Sequence, residues 1–277
     1  MLALLALASS AFWGTSDFFA GLKARTIAAP AVVAITQAFA LVALSVILLV
    51  RNTGLSPSFT GHGVWWAVAA GVAGALGLVS FYTALASGTM GVVAPISSLG
   101  ALVPVFLGLI TGEHPSAIAW AGMAVAVTGA ALASGPELTG AVPPRPVVLA
   151  ALAAGCFGTA LYCLDRGARY AVLETLWGMR ATSVAMFVIA GLVARSIGGA
   201  RRRDLPALAA IGLGDVTANG LFAFSSSQGM VSVASVLGSL YPVATLFWAR
   251  LLLGERLRRV QTLGVALTLV GVVAIAL

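Results

Sequence analysis

The sequence predicts an all-α integral membrane protein whose ten transmembrane helices form two inverted repeats of five helices. Its composition, ten long apolar runs and an internal duplication support this prediction. Of the 277 residues, 60% are hydrophobic and 8% are charged, whereas soluble domains carry about 25% charged residues. The net charge of +7 does not indicate nucleic-acid binding, because the basic residues lie in short loops and not on one water-exposed face.

Ten apolar runs have a length of about 20 residues, which is the length needed to cross a bilayer. They are 3–22, 30–50, 64–86, 91–111, 115–134, 147–164, 172–194, 205–227, 231–253 and 257–277. No basic segment precedes the first run, so it is interpreted as a retained helix and not as a signal peptide. The Pro-rich stretch 135–146 falls near the midpoint, and we expect it to link a first repeat, 1–134, to a second repeat, 147–277.

The second half of the chain repeats motifs of the first half. The segment GVVAPISSLGALVP at 91–104 matches GMVSVASVLGSLYP at 229–242 in seven of fourteen positions. A Gly-Glu pair follows each copy, at 112–113 and 254–255, and Trp13-Gly14-Thr15 aligns with Phe157-Gly158-Thr159. The chain is therefore predicted to contain one structural unit twice.

Three features of the sequence carry structural predictions. Glu113 and Glu255 are predicted to cap the helix that follows each of them, because a carboxylate is stabilised at the positive end of a helix dipole. Pro104 and Pro242 are predicted to kink the fourth and ninth spans, since proline lacks the N–H that a helix interior needs. Most of the 32 glycines are predicted to let helix backbones approach each other closely.

A Pro-led apolar helix, a Gly-Glu pair and a Gly-x6-Gly helix, all duplicated, resemble the EamA family of the drug/metabolite transporter superfamily. Trp13-Gly14-Thr15 and Phe81-Tyr82-Thr83-Ala84-Leu85 also resemble that family's pattern. The resemblance covers essentially the whole chain. It implies ten transmembrane helices in two five-helix repeats, and the export or uptake of small molecules.

The number of spans in each repeat predicts how the repeats are oriented. Five is an odd number, so the second repeat must enter the membrane from the opposite side, and such inverted repeats place a binding site between the copies near mid-bilayer. Eleven Lys and Arg residues lie in or beside the loops after odd-numbered spans, against three, Arg51, Arg166 and Arg169, on the other side. Because cytoplasmic loops carry the excess of Lys and Arg, both termini are predicted to lie outside the cytoplasm.

Ionisable side chains within spans are costly and are therefore candidates for function. Asp215 and Arg180 lie well inside their spans, whereas Asp17 lies nearer the end of the first span, where it could be solvated. Asn219 follows Asp215 by four residues and shares its helix face. Two interpretations stay open: a structural network with Arg180 that ties two spans together, or a cavity lining that contacts substrate or carries a proton.

Polar and aromatic side chains add six weaker candidates for substrate binding. They are Trp13 and Thr15 in the first span, Tyr82 in the third, Ser97 in the fourth, and Ser235 and Tyr241 in the ninth. Ser and Thr in membrane helices more often bond the backbone or a neighbouring helix than a ligand. A packing role is the alternative for Trp13.

The sequence predicts a secondary active transporter of a small organic metabolite or drug across the cytoplasmic membrane, in the first place a proton-coupled exporter. There is no G-x4-G-K-[ST] motif for nucleotide binding, and the two histidines fall in loops without the spacing of metal ligands. Neither an enzyme nor a cofactor or metal site is predicted; the expected partners are the substrate, the bilayer and protons. A sugar-like uptake permease and a non-transporting assembly or sensor protein are the alternatives.

Overall fold

The structure of this protein is a computed structural model that describes residues 1–51, 55–56, 59–87, 90–134, 144–194 and 199–253, and positions 260, 263, 264, 266, 267, 270, 271 and 274. Every regular element within these residues is helical. The first nine residues of the predicted linker, the second Gly-Glu pair at 254–255 and most of the tenth predicted span lie outside the described residues.

Eleven α-helices in this part of the chain follow the predicted apolar runs. In chain order they are α1 (Leu2–Ala24), α2 (Ala29–Arg51), α3 (Val64–Ser87), α4 (Met90–Ser98), α5 (Leu102–Ile110), α6 (Ala117–Ser134), α7 (Pro144–Ala168), α8 (Val172–Ala194), α9 (Leu205–Ser227), α10 (Val231–Gly238) and α11 (Tyr241–Leu253).

Two short turns and two prolines determine how some of these helices begin. A π-helical turn, Phe59–Gly63, leads into α3, and a 3₁₀ turn, Arg202–Asp204, leads into α9. Helix α7 begins at Pro144, three residues before the predicted start of the sixth span at 147. Pro144 and Pro146 occupy its first turn, where a missing backbone N–H costs nothing because no helical acceptor precedes it.

Six helical segments of the described chain are long and apolar enough to cross a bilayer. They are α1, α2, Phe59–Ser87, α7, α8 up to Val193, and Arg202–Ser227. The predicted fourth, fifth and ninth spans contain only shorter apolar helices, Ile96–Ile110, Ala117–Gly129 and Val231–Thr245. Within the described residues, three of the predicted spans thus do not contain one long uninterrupted helix.

The predicted fourth and ninth spans are each divided into two helices. A 3₁₀ turn, Leu99–Ala101, separates α4 from α5, and a two-residue turn separates α10 from α11. Because proline has no N–H, Pro104 and Pro242 remove the usual donor from the carbonyls of Gly100 and Gly238, four residues earlier. The structure thus places a helix break, and not only a bend, within one turn before each of these prolines.

The outer surface of the bundle is apolar and its interior holds polar groups. Leu49, Val50 and Val193 are 77%, 80% and 81% exposed, whereas Arg180 and Gln37 are each 1% exposed. A water-soluble domain does not expose contiguous apolar faces of this kind. The distribution is typical of helices that face lipid and direct their ionisable groups inward.

Helices of the first half pack directly against helices of the second half. Helix α3 lies along α7 and α8, while α9 lies along α1 and α2. A Cβ added to Gly71 in α3 would lie 2.6 Å from the carbonyl oxygen of Met179 in α8, and one added to Gly212 in α9 would overlap the carbonyl oxygen of Thr36 in α2. Glycine is needed at both places because the two backbones touch.

A second pair of glycines lies against the broken helices. A Cβ on Gly158 in α7 would overlap the carbonyl oxygen of Gly100, next to the break between α4 and α5. A Cβ on Gly14 in α1 would overlap the carbonyl oxygen of Tyr241, next to the break between α10 and α11. Both contacts join one half of the chain to the other.

Glu113 does not cap the helix that follows it, so that part of the prediction was wrong. Its two carboxylate oxygens accept hydrogen bonds from the backbone N–H groups of Val231, at 2.7 Å, and Ser232, at 3.0 Å, at the start of α10 in the other half. Gly108 makes room for this carboxylate, because a Cβ there would lie 2.6 Å from one of its oxygens. The cap is therefore a contact between halves, while Glu255 lies outside the described residues.

Two glycines of α7 offer a matched test of this packing. Gly158→Ala should lower the free energy of unfolding by about 1–3 kcal/mol, since its methyl group would meet the Gly100 carbonyl. Gly155→Ala adds a methyl group with nothing within 4 Å, and it should leave the stability unchanged or raise it by up to about 1 kcal/mol. Denaturant titration of both purified variants in the same mixed micelles checks the difference. Equal stabilities would contradict the close approach of α7 to the break.

Candidate functional site

A cavity lies between the two halves of the bundle. Helices α1, α3 and α4 and the Leu99–Ala101 turn line it from the first half, and α7, α8, α9, α10 and α11 line it from the second. Its empty volume is about 680 Å³, which includes the opening to solvent.

Seven of the ten candidate residues from the sequence line this cavity. They are Trp13, Asp17, Ser97, Arg180, Asp215, Asn219 and Tyr241. They come from five helices, α1, α4, α8, α9 and α11, which the fold brings to one space.

The other three candidates, Thr15, Tyr82 and Ser235, do not line the cavity. Thr15 lies two residues after Trp13, about 200° around the helix, where its hydroxyl accepts a hydrogen bond from Trp248 Nε1 at 2.8 Å. The Tyr82 hydroxyl donates a hydrogen bond to the lining residue Asp17. Ser235 is fully buried, and its hydroxyl has no hydrogen-bond partner among the described residues.

Arg180 is the centre of a buried polar network. Its Nη2 donates to Asp215 Oδ2 at 2.8 Å, and its Nη1 donates to Gln37 Oε1 at 2.6 Å. Asn219 donates from its side-chain amide to both the backbone oxygen and Oδ1 of Asp215, at 2.8 and 3.2 Å. The network joins α2 of the first half to α8 and α9 of the second. The two interpretations of these residues are therefore compatible, because the network both ties helices together and faces the cavity.

Asp17 is buried, and this corrects the expectation that it could be solvated near the end of its span. It is 7% exposed, and its Oδ1 accepts a hydrogen bond from the Tyr82 hydroxyl at 3.0 Å. Among the described residues, no Lys, Arg or His nitrogen lies within 4.0 Å of its carboxylate. Asp17 thus differs from Asp215, whose charge is matched by Arg180 at 2.8 Å.

Three aromatic side chains, Trp13, Phe157 and Tyr241, line the cavity. Trp13 contacts Phe222 with ring centroids 5.6 Å apart. Phe81 meets Phe157 edge-on at 5.5 Å on one side and Tyr241 edge-on at 6.1 Å on the other. The rings of Phe157 and Tyr241, which both line the cavity, are therefore held by a buried ring between them.

The sequence analysis missed several lining residues that carry no charge or hydroxyl group. They include Gly74, Leu78, Ala160, Leu161, Met179 and Phe157. Phe157 aligns with Trp13 in the duplicated motif, so the internal repeat contained a signal that could have found it. The aliphatic residues have no such signal, because they resemble every other apolar residue in the spans.

Comparison with protein families identifies the family to which the chain belongs. The model of the EamA-like transporter family matches residues 1–135 and again residues 144–277. The chain belongs to the EamA-like transporter family. This confirms the resemblance in the duplicated motifs, and the EamA family comprises membrane transporters of the drug/metabolite transporter superfamily.

Comparison with solved structures shows which fold the chain shares. One crystal structure of a protein superposes on this EamA-family chain with a TM-score of 0.80 and 18% sequence identity, and the match covers 100% of this chain and 98% of the other. At that identity the likeness shows a shared fold alone. A comparison with curated proteins returned no match.

The Arg180–Asp215 pair generates a prediction about stability. Arg180→Met or Asp215→Asn alone should lower the free energy of unfolding by about 3–5 kcal/mol, because each leaves a buried charge without its partner. The double variant should recover part of that loss. Lys23→Met, which removes one partner of a pair nearer the surface, should have a much smaller effect.

Denaturant titration in mixed micelles measures all four variants. If the losses of the two single variants simply add in the double variant, Arg180 and Asp215 do not stabilise each other, and the network described above is wrong.

Proposed function

We propose that this EamA-family chain is a secondary active transporter that exports a small organic metabolite or drug across the cytoplasmic membrane, driven by the proton gradient and without chemical change to its substrate. One observation carries the proposal: the cavity between the halves holds Asp17, Asp215 and Arg180 among apolar and aromatic walls. Ionisable groups inside a membrane bundle are expensive and mark substrate or proton pathways.

We also propose that ten transmembrane helices form two inverted repeats, 1–134 and 147–277, joined by 135–146. The contacts between halves support this because they come in equivalent pairs. Gly71 meets the second long helix of the other half, as Gly212 does, and Gly14 and Gly158 each meet the other half's broken helix. The two separate matches to the family model fall on the same halves.

The proposed orientation has both termini outside the cytoplasm. Lys23 Nζ lies 2.8 Å from Asp204 Oδ1, which joins the end of α1 to the 3₁₀ turn before α9. The loops after the first and seventh predicted spans therefore meet at the same end of the bundle. Both loops follow odd-numbered spans, and the loops after those spans carry the excess of Lys and Arg. This supports the assignment of that end to the cytoplasm.

Reporter fusions test the orientation. Green fluorescent protein fused after Leu277 should stay dark and alkaline phosphatase at the same position should be active, because only the phosphatase matures outside the cytoplasm. Fusions after Gly199, between α8 and α9, should show the opposite pattern. A bright fluorescent fusion after Leu277 would overturn the proposed orientation without affecting the cavity.

Proteoliposomes that contain only this chain test transport. We expect one or more solutes from a uniformly labelled metabolite extract to accumulate against their gradient when a pH difference is imposed. A protonophore should abolish the accumulation, and protein-free liposomes should show none. Mass spectrometry of the washed vesicles identifies the solutes. Equal contents with and without the protein would refute transport, while accumulation that ignores the protonophore would refute proton coupling only.

A further inference from the structure

The charged groups that line the cavity do not balance. Asp17 and Asp215 each bring a carboxylate, whereas Arg180 brings the only guanidinium among the described lining residues. Arg180 is already paired with Asp215 at 2.8 Å and bonded to Gln37. One carboxylate, that of Asp17, is left without a cation.

Asp17 is held in place by neutral groups. The Tyr82 hydroxyl donates to one carboxylate oxygen, and no second donor among the described residues reaches this side chain. The charged and titratable groups around it are Tyr82 on α3, Asp215 on α9, Arg180 on α8 and Tyr241 at the start of α11. Helix α10 has no titratable residue, and α2 has only Arg51 at its far end. Among the described residues, no cation within 4.0 Å balances a negative charge on Asp17.

The walls beside this carboxylate suit an organic cation. Trp13 lies four residues before Asp17 on α1, so both side chains lie on one face of the helix and both line the cavity. Phe157 and Tyr241 supply further aromatic surface, which Phe81 holds in place. Aromatic faces attract ammonium groups through their quadrupole, and this attraction grows when the cation is desolvated.

We propose that the cavity binds an organic cation, an amine or quaternary ammonium with an apolar body, and that Asp17 is the group where this cation and a proton displace each other. The role of this cation binding in transport rests on the proposed transport function. The binding chemistry does not, because it follows from Asp17, Trp13 and the aromatic wall.

An anionic substrate fits the same cavity less well. Arg180 Nε has no hydrogen-bond partner among the described residues, but the charge of this guanidinium is already matched by Asp215 at 2.8 Å. A bound anion would therefore add a negative charge beside Asp17 and Asp215, and no further cation among the described lining residues would balance it. A cation at Asp17 breaks no existing ion pair. It replaces only a proton on the carboxyl oxygen, which leaves through the opening as the cation binds.

Exchange at a single carboxyl group has two measurable consequences. Where free Asp17 is protonated, each rise of one pH unit should raise the apparent affinity for the cation about tenfold, because one proton is released per cation bound. A monovalent cation that replaces one proton moves no net charge. Its transport should therefore respond to a pH gradient and not to a membrane potential.

The binding experiment uses the full chain in detergent and three cationic probes: benzyltrimethylammonium, phenethylammonium and tetraethylammonium. Phenylmethanesulfonate serves as the anion of similar shape. Isothermal titration between about pH 5 and pH 8 should show that benzyltrimethylammonium binds more tightly as the pH rises. In weak buffer, close to one proton should be released per bound cation, and the sulfonate should bind more weakly at every pH.

Three variants assign the effect to Asp17. Asp17→Asn should weaken binding of benzyltrimethylammonium by at least about tenfold and should remove both the pH dependence and the proton release. Tyr82→Phe keeps the carboxylate but removes its donor, so it should move the pH profile towards higher pH while proton release persists. Asp204→Asn makes the same chemical change outside the cavity and should behave like the wild-type protein.

The outcomes separate this inference from the proposed function. If no cationic probe binds, if the sulfonate binds as tightly as benzyltrimethylammonium, or if Asp17→Asn keeps the pH dependence, the inference is wrong even where the vesicles transport other solutes. If Asp17→Asn does not fold, an unmoved pH profile in Tyr82→Phe overturns it instead. If the cation binds and releases a proton but never crosses the vesicle membrane, the inference holds and the proposed transport fails.

Discussion

Arg180 forms hydrogen bonds with Asp215 and Gln37 inside a bundle whose outer surface is apolar, and much of the structure depends on these contacts. A guanidinium that is 1% exposed is tolerable only where its charge is matched, because an unmatched buried charge costs several kcal/mol. The partners come from α9 and α2, so the network sets how these helices align with α8. Arg180 and Asp215 also line the cavity, and among the described lining residues the carboxylate of Asp17 is left without a cation.

The glycines bring the helices close enough for this network to form. Lipid provides no hydrophobic force between helices, so dispersion contacts and hydrogen bonds between touching backbones must stabilise the bundle. Gly71 lies against Met179, the residue next to Arg180, and Gly212 lies against Thr36, the residue next to Gln37. Ser183 adds a hydrogen bond of 3.0 Å from its hydroxyl to the Gly71 carbonyl oxygen. Backbone approach and side-chain pairing therefore occur at the same level of the bundle.

Features that depend on neighbouring residues could be predicted from the sequence, whereas contacts between residues far apart in the chain could not. Long apolar runs depend only on local composition, so α8 and α9 begin where the runs at 172 and 205 begin. Arg180 and Asp215 stood out because charge is conspicuous in an apolar span. The contact between Tyr82 and Asp17 joins residues 65 apart and depends on how α3 packs against α1. Glu113 was assigned to its neighbour in sequence, although its partners lie 118 and 119 residues away.

The positions of the helix breaks are related to the position of the cavity. A carbonyl without its helical donor is costly at membrane depth, and such irregular backbone is tolerated only where protein buries it or a cavity faces it. Pro104 and Pro242 remove those donors from Gly100 and Gly238, and both glycines line the cavity. Both breaks thus lie where the backbone borders the cavity. Because glycine and proline recur at the same places in both copies of the motif, each half brings one broken helix to the shared space.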